Sequence, residues 1–111
     1  MSNVHIILCP TKGRPCALET PSDLLSLQRL VGGHLQAVPL RQPRGLVLWC
    51  NEDGIDRRLP GNETLPVLVV GQVFTMPGVG ILGPAFLARI SRSGELASVT
   101  AEDLAAMGVA P

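Results

Sequence analysis

The sequence predicts an α+β domain: a mixed, mostly antiparallel sheet with one main helix, about residues 21–31, on one face and a short C-terminal helix. Three observations carry this. Leu24, Leu27, Leu30 and Val31 recur at three- and four-residue intervals, which makes one apolar helical stripe. His34 to Val38 alternates polar and apolar, as a half-buried strand does. Leu46 to Cys50 is continuously apolar, which suggests a strand covered on both faces.

In chain order, Val4 to Leu8 is a short β-rich run ended by Pro10. Thr11 to Pro15 has turn chemistry, and Cys16 to Glu19 is the return strand of a hairpin that brings Cys9 near Cys16. Thr20-Pro21-Ser22-Asp23 is a helix start, with Thr20 as cap, Pro21 in the first helical position and Asp23 near the positive end. Gly32 ends the helix, and Gly33 beside it lets the backbone turn sharply or lie open to another group. Pro39 cannot donate to a ladder and belongs at an edge or a strand end. Arg41 to Gly45 turns the chain into the apolar strand. Asn51 to Gly54 is a polar turn after it, with Asp53-Gly54 suited to a hairpin.

Ile55 to Asn62 reads as irregular, with Arg57 and Arg58 exposed. Leu65 to Val70 reads as a strand that Gln72 to Met76 continues, and Pro77 to Gly80 as a loop. Ile81 to Ala88 is a strand bent at Gly83-Pro84. Ser91 to Gly94 turns the chain. Thr100 to Asp103 then repeats the helix-start pattern, for a helix to Met107 stopped by Gly108. No internal repeat or linker interrupts this, so residues 1–111 form one domain.

Composition narrows the function. Hydrophobic residues are 46% and charged ones 16%, with nine basic and nine acidic side chains for a net charge of zero. Nucleic acid is therefore an unlikely partner, because gripping it takes a basic stripe. A homo-oligomer meets little charge repulsion. No apolar run is long enough to span a bilayer and no secretory leader is evident, so the expected location is cytoplasmic, with no membrane partner. Cys9, Cys16 and Cys50 show no Cys-x-x-Cys spacing, and His5 and His34 stand alone, so no metal site is expected.

No residue set forces a reaction, and neither catalysis nor a cofactor is expected. Gly78 to Gly83 matches G-x-G-x-x-G, but only 28 residues follow, too few to complete a dinucleotide-binding unit. Asn51, Glu52, Asp53 and Asp56 cluster, which suits an acid–base pair or a hard cation less well than a solvated turn. No nucleophile is spaced to work with His34. Arg57 and Arg58 suit a phosphate clamp or simple solubility; Trp49 suits a core anchor or a stacking platform, and its apolar neighbours favour the core. The candidate site is a ligand-binding corner built from Gly32, Gly33, His34, Asn51, Glu52 and Asn62. Main-chain amides at a double glycine plus side-chain carboxamides suit a small polar ligand, such as a nucleotide fragment. The rival expectation is a protein-interaction module with a host protein as partner, and a third is a metal-assisted hydrolase using Glu52 or Asp53.

From Leu27 through Val31-Gly32-Gly33-His34 to Leu40, the chain resembles the domain of unknown function family three-eight-four-six. Asn51-Glu52, Leu59-Pro60-Gly61-Asn62, Gly83-Pro84-Ala85 and the stretch from Ser93 to Leu104 match its later elements, so the likeness covers about residues 20–105. His34 stands where the family pattern has an aromatic, and Pro66 to Val70 is more strand-like than the family's segment. The resemblance implies no reaction. It implies a phage or mobile-element setting, by association rather than mechanism.

Overall fold

The computed structural model describes residues 2–72 and 80–111. Its strands are β1 (Asn3–Cys9), β2 (Cys16–Pro21), β3 (Leu35–Pro39), β4 (Leu46–Asn51), β5 (Ala85–Ile90) and β6 (Leu96–Ala97). The helices are α1 (Leu24–Val31), α2 (Val67–Val70) and α3 (Ala101–Met107). One sheet runs β2-β1-β5-β4-β3, with β6 added to β5, and every strand pairing among the described residues is antiparallel. The architecture is α+β, as the pattern of residues predicts. Two local hairpins, β1–β2 and β3–β4, are joined by β5 inserted between them.

The central strands explain their own composition. Along β4, Leu46, Leu48 and Cys50 face one core and Trp49 the other. Along β5, Ala85 and Leu87 join the first core while Phe86 and Ala88 join the second. Period-2 alternation buries both sets, so neither strand has a polar side to show. Leu27 and Val31 of α1 close the second core over Val4, Ile6 and Phe86. Val69 of α2 and Met107 of α3 close the first, so the C-terminal helix does cover the far side of the sheet. Trp49 packs against Phe86 with ring centroids 6.2 Å apart, as a core anchor.

Several expectations need correction. The main helix begins at Leu24, not residue 21, because Thr20 and Pro21 belong to β2, where they pair with Val4 and Asn3. A residue before proline favours extended backbone, which keeps Thr20 in the ladder. Asp23 is the cap instead, accepting from the Ser26 amide at 3.0 Å and the Ser26 hydroxyl at 2.7 Å. Starting three residues later leaves Leu24 62% exposed, outside the stripe it was expected to join. Asp53-Gly54 opens a run of tight turns rather than a hairpin, with the Arg57 and Leu59 amides donating back to Asp53 and Gly54.

Residues 67–70 form one helical turn, not a strand: the Pro66 carbonyl accepts from the Val69 and Val70 amides, and that turn is enough to seat Val69 in the core. Branched side chains favour strands only where a pleated surface receives them. The expected continuation over residues 73–76 and the loop over residues 77–79 lie outside the described residues. The strand expected from Ile81 starts at Ala85. Gly83, at φ 84°, makes the bend before it, and Leu82 forms an isolated bridge with Gly61. Among the described residues no helix is long and apolar enough to cross a membrane.

Candidate functional site

The site is the corner where α1 meets the end of β4. Gly32 takes the left-handed conformation at φ 80° that ends the helix. Its amide and that of Gly33 both donate to the Gln28 carbonyl, at 2.9 and 3.1 Å. Asn51, the last residue of β4 and 5% exposed, donates from Nδ2 to the Val31 carbonyl at 3.1 Å and accepts the Asp53 amide at 2.7 Å. A Cβ on Gly33 would stand 2.9 Å from that Nδ2, so the missing side chain is what lets the carboxamide reach the helix end. The ladder continues one residue past β4, with the Glu52 amide donating to the His34 carbonyl at 2.9 Å. Arg57 closes the corner from outside, its Nη1 donating to the Gly32 carbonyl at 3.1 Å.

The six expected site residues divide among three places. Gly32, Gly33 and His34 rim an open hollow of about 440 Å³ with Leu25, Gln28, Arg29 and Arg57. Asn51 and Glu52 line a separate hollow of about 210 Å³ with Gln36, Cys50 and Ile55. Asn62 borders neither. Its Nδ2 donates to the Cys9 and Gly83 carbonyls at 2.8 and 3.0 Å, and its Oδ1 accepts the Thr64 amide, so it staples three chain segments. The expected notch between glycine amides and the Asn51 carboxamide is closed, because those donors are all bonded within the chain. The vacancy lies one layer out, against two guanidinium groups.

That outer hollow has a definite chemistry. A helix C-terminus carries partial negative charge, which Arg29 in the last turn and Arg57 on the Gly32 carbonyl offset. Its lining adds an imidazole and a carboxamide and contains no carboxylate. One edge of Arg57 is fixed while its remaining N–H groups have no partner among the described residues, which suits an incoming carboxylate, phosphate or carbonyl oxygen. In the sequence Arg57 stands out only as a pair with Arg58, and Arg58 does not line the hollow. Leu25, Gln28 and Arg29 were missed, although their three- and four-residue spacing opposite the buried stripe is a legible signal.

The other candidates resolve into structure. Among the described residues no three His, Cys, Asp or Glu side chains converge as a metal site. Gly83 leads into β5 rather than a helix, so its part of the glycine motif lacks the helix N-terminus that phosphate binding uses, while Gly78 lies outside the described residues. Burial pushes the Cys9 thiol up to about 12, helped by nearby Cys16, and burial lifts Cys50 to about 11; all three cysteines are unpaired thiols.

A second polar hub holds α3. Arg89 of β5 donates from Nε and Nη2 to the two oxygens of Asp103, both at 2.6 Å. The Thr100 amide donates to Asp103, and the Asp103 amide donates to the Thr100 hydroxyl, completing a capping box. Burial alone would raise the Asp103 carboxyl. The paired Arg89 bonds, the Thr100 amide and the Arg89 charge outweigh it and hold the group below its ordinary 3.8.

Fold and corner together define a small α+β domain, one antiparallel sheet between helices, with a cationic hollow at a helix end. The chain belongs to the family described as Domain of unknown function (DUF3846), whose model matches residues 3–108. No curated protein and no solved structure matches the chain.

Proposed function

We propose that this domain binds a small polar ligand bearing an anionic group, nucleotide-like in kind, in the hollow beside Gly33, and performs no chemistry on it. One observation carries this reading: Arg57, bonded to the Gly32 carbonyl and with its other N–H groups unpartnered among the described residues, lines a space that Arg29 and His34 also border. A guanidinium already held by one bond loses less freedom on binding than an unattached one. The volume falls within the range of small-molecule sites. An accessory role in a phage or mobile-element setting belongs to the same proposal and rests on the family resemblance alone.

The test is a thermal-shift series with inorganic phosphate, adenosine, and adenosine mono- and triphosphate. A phosphate-bearing compound at a hundredfold excess over its dissociation constant is expected to raise the melting temperature by roughly 10 °C. Adenosine should do less, and Arg57→Ala should remove the effect. The reading is overturned if no phosphate-bearing compound shifts the transition, or if Arg57→Ala shifts as the parent does.

A second reading, an interaction module that blocks a host factor, is favoured by α2. Val67 is 90% exposed, and Leu68 and Val70 stand exposed beside it. Contiguous apolar surface of that kind marks contact sites. A captured partner that is lost on Val67→Asp would favour this reading over the first.

A further inference from the structure

We propose that two copies of this chain pair through the outer edge of β3, antiparallel and centred on Ala37, into one continuous sheet. β3 is the end strand of the sheet, and among the described residues it pairs only with β4. Its hydrogen bonding fixes which groups face outward. The Glu52 amide donates to the His34 carbonyl and the Leu40 amide to the Leu46 carbonyl. Residues 34, 36, 38 and 40 therefore turn their main-chain groups toward β4, and Leu35, Ala37 and Pro39 turn theirs away.

That outward set complements itself. About a two-fold axis at Ala37, each Ala37 N–H meets the partner's Ala37 carbonyl, and each Leu35 N–H meets the partner's Pro39 carbonyl. Pro39 has no N–H to place. Each chain thus gives two donors and finds two acceptors, with only the Leu35 carbonyl left to water. Leu35 to Pro39 carries no charge, and the whole chain has none in net, so the paired strands themselves bring no like charges together. Natural edges are commonly blunted by charged residues, proline or bulges, and of these β3 carries only Pro39 at its end, whose carbonyl the pairing uses.

The opposite edge shows the contrast. The Ser22 amide donates to the Ser2 carbonyl, so on β2 it is Ala17, Glu19 and Pro21 that face outward. The same pairing there would set Glu19 against its own copy, and like charges directly opposite are destabilising. Among the described residues one edge is guarded by a carboxylate and the other is open, which selects β3 as the interface and a second copy as its occupant.

Sedimentation velocity across a concentration series tests this. The parent chain is expected to shift from monomer to dimer as concentration rises. Ala37→Pro removes the central N–H, which points away from β4, so β3 keeps its own ladder; the dissociation constant should rise roughly tenfold to a hundredfold. Ala37→Lys, which puts like charges face to face, should do the same, and circular dichroism should show both variants folded. Ala17→Pro on the other edge should leave association unchanged. A parent that stays monomeric throughout, including one that accepts an added extended peptide instead, overturns the proposal, as does a dimer indifferent to both Ala37 variants.

Discussion

Two polar hubs tie helices to this sheet, and they are finished differently. At the α3 end, Arg89 and Asp103 satisfy each other through paired bonds, and Thr100 takes up most of what remains. At the α1 end, Asn51 is equally well satisfied, but Arg57 outside it is bonded along one edge only. The first hub spends its guanidinium on a buried carboxylate and on the Arg44 carbonyl. The second is a closed inner layer under an unfinished outer one. Burial of polar residues does not by itself mark a site; a guanidinium beside an open hollow, with no carboxylate partner among the described residues, does.

The sharpest way to break that comparison is Asp103→Ala. It strands the Arg89 charge and undoes the α3 cap, so stability should fall by about 3 kcal/mol, measured by urea unfolding. The same pair sets an acid limit. Because the folded Asp103 carboxyl lies below its ordinary 3.8, its contribution is full above that value and drains away as pH falls through the lower folded one. Melting temperatures measured between pH 6 and pH 2 should therefore drop less steeply in Asp103→Asn than in the parent.

Gly33→Ala probes the inner layer of the other hub. The added methyl meets an Asn51 side chain pinned at both ends, and the expected cost is about 1–3 kcal/mol. Asn51→Ala removes the obstacle, so the double variant should be less destabilised than the sum of the two single ones. The smallest stability effect belongs to Arg57→Ala, about 1 kcal/mol or less. If that substitution unfolds the chain instead, Arg57 is a structural cap like Asp103 and the contrast between the hubs disappears.

Much of this fold is legible in the residues. The continuous apolar runs of β4 and β5, the Gly32 stop and the Thr100 capping box are local signals with one physical reading each. The errors lie where two local signals competed. Thr20-Pro21 suits both a helix start and a strand end, and pairing with β1 decided it. Pro66 to Val70 has strand-forming side chains, yet a single helical turn seats Val69 in the core.

The candidate site was legible at the level of the corner, not of its lining. Paired glycines beside an asparagine do announce close approach of backbone and carboxamide. The sequence cannot show that the approach ends in contact, because closing it depends on a 2.9 Å clearance. Arg57 reaches the helix end from 25 residues away, through turns with no regular period. The family model matches residues 3–108, so the likeness first visible around the double glycine extends through both hairpins and α3.

The position of β5 has a consequence for how the chain is made. The two hairpins on either side of it are local and can form as soon as their residues are available. The strand that joins them is encoded after both, at residues 85–90. Until it leaves the ribosome, the nascent chain holds two unsupported ribbons whose inner edges, later the centre of the sheet, lie bare. Such edges invite wrong pairings, so the hazardous interval in biosynthesis is the one just before β5 arrives.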